Sequence, residues 1–347
     1  MKLSRLGEFG LIDKLSRLVT VGQGVRLGIG DDAAWVDNPR GSSLVTADLL
    51  IEGIHFNLKW TSLADLGYKA LAVNLSDIAA MGGTPAYVLL SLGIPAKLDS
   101  AKVNELYRGI NALAQMHGVT IVGGDTNAAG SLLISVCLIG HPPVKPICRS
   151  GAHIGDDVYV TGTVGDAALG LELLRNKRGL RSGTAAQLLK RHHRPTPRLA
   201  TGALLAQRNL VTAMIDISDG LAQDLAHICR ASGVGATIEQ EKLPLSTAFR
   251  ELAGKVGMRH ALSGGEDYEL LFCATPAQRK SITTVSEQTE VPISRIGFCV
   301  PAAKGIRVID AAGGEMALTA QGHDHFQNHE FGGRRTVKRF LYERRNG

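Results

Sequence analysis

The run Ala213-Met214-Ile215-Asp216-Ile217-Ser218-Asp219-Gly220 decides how this chain is read. Apolar residues with a β-branched member describe a strand buried on both faces, and the carboxylates and glycine that close the run mark a loop or helix start. Two other runs repeat the design: Ser43-Leu44-Val45-Thr46 leads to Asp48, and Val119-Thr120-Ile121-Val122-Gly123-Gly124 leads to Asp125. Further strands are expected over 132–140, 158–161, 269–273 and 293–300. Helical periodicity covers 63–81, where Leu66, Ala70, Val73 and Asp77 share a face and Gly82-Gly83 and Pro85 stop the helix. Helices are also expected over 101–117, 185–192, 197–207, 221–232, 247–256 and 276–287. Strands alternating with helices give an α/β (α+β) fold. His141-Pro142-Pro143-Val144-Lys145-Pro146 breaks both periodicities and reads as an extended linker. Two domains are therefore expected, 1–141 and 147–326, followed by a basic tail over 327–347.

The chain has 347 residues, 44% hydrophobic and 20% charged, the balance of a globular protein with sizeable cores. Its apolar runs, such as 132–139, are too short to cross a bilayer, so no membrane partner is expected. Met1-Lys2-Leu3-Ser4-Arg5 lacks the apolar core of a secretory signal. The five cysteines are scattered and form no C-x-x-C pair, which argues against a disulfide framework or a zinc knuckle and for a cytoplasmic setting. The net charge of +6 is concentrated near the end, at Arg334, Arg335, Lys338, Arg339, Arg344 and Arg345. A terminal charge run reads as a solvated tail rather than a nucleic-acid arm, and no nucleic-acid partner is expected. The rival reading is a non-catalytic RNA- or nucleotide-binding protein that works through this tail.

The chemistry lies in carboxylates set among glycines and apolar residues: Gly28-Ile29-Gly30-Asp31-Asp32, then Asp48, Asp77, Asp125, Asp216 and Asp219. An aspartate often only caps a helix or turn. Six of them in apolar settings without an adjacent Lys or Arg make joint capping the poorer account, because an unpaired buried carboxylate is costly. Oxygen-only ligands select a hard cation, Mg²⁺ above zinc or copper. Since Mg²⁺ takes one or two carboxylates together with substrate phosphates, the set implies several ions and a phosphoryl-transfer reaction. Neither G-x-x-x-x-G-K-[ST] nor the H-R-D and D-F-G signatures of protein kinases occur. Gly162-Thr163-Val164-Gly165-Asp166 is a candidate phosphate turn, though such a turn is more often structural.

At these residues the chain resembles the thiamine-monophosphate kinases, a family that shares a fold superfamily with aminoimidazole ribonucleotide synthetase. The motifs are Gly28-Ile29-Gly30-Asp31-Asp32-Ala33, Tyr68-Lys69-Ala70-Leu71-Ala72-Val73-Asn74-Leu75-Ser76-Asp77, Val122-Gly123-Gly124-Asp125-Thr126, Arg149-Ser150-Gly151-Ala152, Ile215-Asp216-Ile217-Ser218-Asp219-Gly220 and Leu262-Ser263-Gly264-Gly265-Glu266-Asp267-Tyr268-Glu269. The likeness extends from Gly7-Glu8-Phe9 to Asp324-His325-Phe326. It implies an N-terminal domain that dimerises through its sheet, a C-terminal α/β domain, and ATP bound with magnesium between them. By motif match Asp31, Thr46, Asp48, Asp77, Asp125, Asp216 and Asp219 would hold metal. Ala47, where the family usually has Thr, would offer only its carbonyl. Tyr107, Gly124, Asp125, Arg149 and Ser218 would contact ATP, and His55 and Glu266 would face thiamine monophosphate. His323 stands where the family places a Tyr or Trp that stacks on the substrate. His323-Asp324-His325 also admits a transition-metal reading, which the D-H-F match makes the weaker one. Selenophosphate synthetases are disfavoured by the lack of a cysteine in an N-terminal glycine-rich loop, and the contexts of His55 and Glu266 disfavour the aminoimidazole ligases.

Overall fold

A computed structural model of the chain describes residues 3–176, 182–254 and 257–318. The chain forms two compact units. The smaller is described over residues 3–20, and its element is α1 (Leu3–Ser16), a helix kinked at Gly7, whose φ is 73°. The larger, which begins at Val21, carries all the elements that follow.

Its first half contains β1 (Val25–Leu27), β2 (Ala34–Asn38), β3 (Gly41–Ile51), α2 (Leu63–Ala80), β4 (Thr84–Ile94), α3 (Ser100–Met116), β5 (Thr120–Ala128) and β6 (Leu133–His141). The strands form one sheet in the order β1-β2-β3-β6-β4-β5, in which β4 and β5 are parallel and the other neighbours antiparallel. Leu44 and Leu50 of β3, Val88 and Leu90 of β4 and Ile134, Val136 and Leu138 of β6 are buried with Leu66, Ala70, Val73, Leu106 and Ile110 of α2 and α3 in one core. Ser62 starts α2, accepting from the Asp65 N–H at 3.0 Å while its hydroxyl donates back to the Asp65 carboxylate. The two helices touch through glycines. A Cβ on Gly67 would stand 2.0 Å from the Leu106 carbonyl oxygen, and one on Gly109 would stand 1.9 Å from that of Ala64. The opposite face of the sheet is open, with Leu49, Tyr87 and Val122 each about half exposed.

The second half contains β7 (Asp157–Thr161), α4 (Asp166–Asn176), α5 (Gly183–His193), α6 (Leu199–Gln207), β8 (Ala213–Asp216), α7 (Leu221–Ser232), β9 (Val234–Glu239), α8 (Thr247–Leu252), α9 (Gly257–Ser263), β10 (Leu270–Ala274), α10 (Arg279–Thr289), β11 (Ile293–Pro301), β12 (Ile306–Ile309) and β13 (Glu315–Ala317). The sheet order is β13-β12-β9-β11-β7-β10-β8, with only β9 and β12 paired in parallel. Every residue of β7, β8 and β10 is buried, which explains why their sequence is apolar apart from Asp157, Thr161 and Asp216 at strand ends. The fold is thus two mixed α/β halves, each with its own sheet; one core lies within the second half, and the other joins the first half to β7, β8, β10, α6 and α10.

The stretch between the sheets is held at both ends. The Ile147 N–H donates to the Met81 carbonyl at the end of α2, and the Cys148 carbonyl accepts from the Met214 N–H in β8. Three expectations need correction. Asp48 and Asp125 lie within β3 and β5 rather than beyond them. Strand β4 was not anticipated, because Tyr87 and Leu89 on its outer face are apolar too and the polar alternation that announces a half-buried strand is missing. The helix expected over 247–256 ends at Leu252, before Gly254 at φ +56°, and Val256 lies outside the described residues.

Candidate active site

Asp32 follows the Gly28-Ile29-Gly30 loop, Asp77 stands in the last turn of α2, and Asp216 ends β8. One carboxylate oxygen from each lies within 4.8 Å of the other two. On β3 the inward residues Thr46 and Asp48 flank this trio, and the Thr46 hydroxyl donates to Asp77 Oδ2 at 2.6 Å. Burial and the charges of Asp48, Asp216 and Asp32 raise the Asp77 carboxyl well above the usual range. Burial, then the charge of Asp32, pushes Asp216 up to about 8, and burial pushes Asp48 up to about 6. Buried acids this close cannot all ionise without a cation. Among the described residues, Asp32 Oδ2 and Asp216 Oδ2 are buried without a hydrogen-bond partner. Oxygen donors, orphaned lone pairs and stacked negative charge fit a hard divalent cation such as Mg²⁺.

Long-range folding adds what local sequence concealed. Arg149 Nη2 donates to Asp32 Oδ1 at 2.8 Å across 117 residues, so one acid of the cluster does have a basic partner. Asp31, the expected ligand of the Asp-Asp pair, uses Oδ1 for the Asp32 N–H and Oδ2 for the Arg149 N–H, both at 3.0 Å. Its carboxyl is pushed up to about 6 by burial and by Asp32, and it is Asp32 whose oxygen joins the trio. Asp224, in the first turn of α7, was not anticipated. Its Oδ2 accepts from the N–H groups of Asp219 and Gly220 at 3.2 and 3.0 Å, fixing the loop that carries Asp219. Its only sequence signal was an acid in a helix's first turn, the commonest position for a cap.

Other expected residues stand apart from the trio or in a different role. The pleat turns Ala47 to the outer face of β3, away from Thr46 and Asp48, so a side chain there would point from the cluster. Asp125 is exposed on β5 and accepts from the Thr126 N–H and Asn127 Nδ2 at 2.8 and 2.6 Å. Gly124, at φ +156°, is imposed by its neighbour strand: a Cβ there would meet the Leu90 carbonyl oxygen at 1.7 Å. Tyr107 is half-buried against the first core. His55 Nδ1 accepts from the Ile51 N–H at 2.9 Å, which leaves the ring proton of the neutral form on Nε2. His323 lies outside the described residues.

The Gly-Gly-Glu-Asp-Tyr-Glu run is committed residue by residue. Glu266, at φ +73°, receives Lys69 Nζ at 2.6 Å on Oε1 and lies 3.2 Å from His192 Nδ1 on Oε2. Despite its burial, the charges of Lys69 and His192 hold its carboxyl below the usual range. Its N–H donates to the Ser218 carbonyl at 2.8 Å, and the Tyr268 N–H donates to that of Ile217 at 2.9 Å, so this turn is laced to the segment bearing Asp216 and Asp219. Asp267 accepts from the N–H groups of Gly165 and Ala167, capping α4. The turn over 162–166 therefore has the structural role that such turns more often have, its helix-start donors being taken by this carboxylate. Glu269 is buried between Arg198, which grips both its oxygens, and Arg191, with the Thr161 hydroxyl on Oε2 at 2.6 Å.

Residues 30–141 match the family described as AIR synthase related protein, N-terminal domain, and residues 153–310 match the corresponding C-terminal domain. Fold and acid cluster together define an AIR synthase related protein. Thiamine-monophosphate kinase of Salmonella typhimurium is 40% identical over 325 residues, spanning 92% of this chain and 98% of that protein, and the Bacillus subtilis enzyme is 35% identical, spanning 93% and 100%. The solved structure of AaThiL complexed with AMPPCP and TMP has a TM-score of 0.83 at 34% identity, covering 94% of this chain and 99% of that one. The chain belongs to the thiamine-monophosphate kinase family. It is a phosphotransferase, and among its described residues no helix is long and apolar enough to cross a membrane.

Proposed function

We propose that the chain transfers the γ-phosphoryl group of ATP to the phosphate of thiamine monophosphate, giving ADP and thiamine diphosphate. The observation that carries this reading is the convergence of Asp32, Asp77 and Asp216, in a family whose member AaThiL was solved with AMPPCP and TMP. The acceptor is a phosphate monoester whose second pKa is about 6, so at neutral pH it is already a nucleophile and needs no general base. The obstacle is the approach of two anions. Mg²⁺ ions, held by Asp32, Asp77, Asp216, Asp48 and Thr46, with Asp31, Asp125 and Asp219 completing the set, would offset phosphate charge there. Arg149, already beside Asp32, contributes a fixed guanidinium fork suited to phosphate oxygens. Asp224 and Thr46 keep the acids in register, so little reorganisation remains when the reactants meet.

Tyr107, Gly124 and Ser218 are assigned to the ATP side and His55, Glu266 and His323 to the thiamine side, with the division at 1–141 and 147–326 separating the two domains. The open apolar face of the first sheet, with Leu49, Tyr87, Leu89 and Val122, suits a second copy of the chain, which makes a homodimer the expected assembly. The deciding assay measures thiamine diphosphate formed from ATP and thiamine monophosphate, with and without EDTA, and with thiamine as a competing acceptor. Product only with metal, and only from the monophosphate, is expected. Phosphorylation of thiamine itself, or turnover indifferent to EDTA, would overturn the proposal.

A further inference from the structure

The Asp32 carboxylate faces two ways. Its Oδ1 accepts from Arg149 Nη2 at 2.8 Å, while the same group belongs to the trio with Asp77 and Asp216. Its Oδ2 is buried without a hydrogen-bond partner among the described residues. The side chain is 0% exposed, so no solvent screens one contact from the other. Both backbones are pinned. The Ala33 N–H donates to Met81 Sδ at 3.2 Å, which ties the residue after Asp32 to the end of the helix that carries Asp77. On the other side the Asp31 carboxylate accepts from the Arg149 N–H, and the Ser232 hydroxyl donates to the Arg149 carbonyl at 3.3 Å. That hydroxyl also accepts from the Gly151 and Ala152 N–H groups at 3.1 Å. Arg149 Nε is likewise buried without a partner among the described residues, which leaves donor capacity unused. Against the pull of burial, the charges of Asp32, Asp31 and Asp216 keep the guanidinium charged.

We infer that Asp32 couples the two charges of the site: by sharing one carboxylate between Arg149 and the acid trio, it makes cation binding at the trio and triphosphate binding at Arg149 favour each other. The inference deepens the proposed reading, in which the trio holds Mg²⁺ and Arg149 meets ATP, and it rests on that reading. Its basis is competition for one group. With neither ligand bound, Arg149 and Asp32 neutralise each other, so the guanidinium is a poorer anion site and the carboxylate a poorer cation site than either would be alone. When Arg149 turns its charge to a phosphate, Asp32 regains negative charge for the trio. When Asp32 serves a cation, Arg149 is released for phosphate. Such coupling is reciprocal, so each ligand raises the affinity of the other by the same factor. The pinned backbones keep the pair together, and the competition cannot be relieved by moving apart. Asp31, whose oxygens hold the Asp32 and Arg149 N–H groups, touches the backbone of the pair rather than its charges.

The test is a double-mutant cycle read by calorimetry on nucleotide-free protein, with Mg²⁺ alone as the probe. Arg149→Met should tighten Mg²⁺ binding about tenfold, within the usual range of coupling between sites. In the Asp32→Asn background the same substitution should change Mg²⁺ affinity by less than about twofold, as for sites that no longer interact. A tightening of equal size in both backgrounds would make Arg149 a general positive charge acting on the trio, and no tightening in either would remove the competition. Both results overturn the inference. The anion side is read with AMPPCP. In EDTA, Asp32→Asn should bind AMPPCP about tenfold more tightly than native protein, because Arg149 is released, whereas at saturating Mg²⁺ the native protein should bind it more tightly. Weaker binding by Asp32→Asn under both conditions, with a lower melting temperature, would mark Asp32 as structural and overturn the inference. Native protein that binds Mg²⁺ and AMPPCP without this crossover defeats the inference alone; native protein that binds neither defeats the reading beneath it. Should Asp32→Asn fail to fold, Arg149→Met against native protein still decides: an unchanged Mg²⁺ affinity overturns the inference, and a tightening of about tenfold bears it out.

Discussion

The hydroxyl of Thr46 donates to Asp77 Oδ2 at 2.6 Å, joining β3 to α2 at the point where the acids converge. The bond aims one Asp77 oxygen and stabilises the carboxylate against the repulsion of Asp48, Asp216 and Asp32. Thr46→Val keeps the volume and removes the donor. A hydrogen bond to a charged group is worth about 1.5–3 kcal/mol, so turnover at low magnesium should fall roughly tenfold or more. The half-saturating magnesium concentration, measured from initial rates at fixed ATP, should rise. An unchanged magnesium curve would mean that the hydroxyl serves β3 alone.

Asp216→Asn separates stability from function. Asp216 is 2% exposed and surrounded by like charge, an arrangement that costs stability until a cation arrives. In EDTA the variant should melt several degrees above the native protein. Magnesium should then raise the native melting temperature, because a ligand that binds only the folded state stabilises it, and leave that of the variant nearly unmoved. Turnover of the variant should drop by at least about a thousandfold, as for loss of a principal electrostatic contributor. A variant that is less stable in EDTA would show that Asp216 is structural.

The contrast between these residues and the rest of the site explains what was legible in the sequence. Asp77 and Asp216 announced themselves because an apolar helix and an apolar strand each ran into an acid with no local partner. The same local view hid Arg149 beside Asp32 and Lys69 beside Glu266, because those pairs close over 117 and 197 residues and periodicity says nothing at such range. Asp267 and Glu269 sit in the same motif as Glu266, yet one caps α4 and the other anchors two arginines. Motif membership therefore did not tell the roles of these acids apart. Ala47 was readable: strand alternation alone sends position 47 to the face opposite Thr46 and Asp48.

Gly67→Ala tests the helix contact that sets the position of Asp77 on α2. Its Cβ would lie 2.0 Å from the Leu106 carbonyl oxygen, a backbone atom that cannot swing aside, so α2 and α3 must separate. Overpacking of this kind costs about 1–3 kcal/mol, measurable as a lower urea midpoint with unchanged slope. Alanine is the better helix former, so a stabilised variant would mean that the two backbones are not in contact.

Glu269→Gln should be severe for the fold and mild for the chemistry. The carboxylate is fully buried and neutralises Arg191 and Arg198 together, and removing one partner of such a cluster costs about 3–5 kcal/mol. Denaturant unfolding should register that loss. Protein that remains folded should keep KM values for both substrates close to native, in contrast to Glu266→Gln three residues away. A native-like unfolding curve with altered KM would reverse the assignment of the two glutamates.

His227 gives the acid limb of the stability profile. It lies half-buried on α7, and burial, with the charges of Arg149 and Arg230, pushes its pKa down to about 4 from an ordinary 6.5. In the unfolded chain the ring takes a proton as pH falls below 6.5, whereas in the folded protein it stays neutral until about 4. The unfolded state therefore binds more protons across that window, and folded stability falls with pH there and is fully present above 6.5. His193, lowered to about 4 mainly by burial and then by His192 and Lys69, acts in the same direction. The buried aspartates act oppositely, so the informative quantity is the difference between native protein and His227→Gln, which cancels every other group. Measured by urea unfolding in EDTA, that difference should be constant from pH 7 to 8. It should then shift by about 1–2 kcal/mol in favour of the variant between pH 6.5 and 4.5. A difference independent of pH would mean that His227 titrates alike in both states and that Arg149 and Arg230 do not act on it.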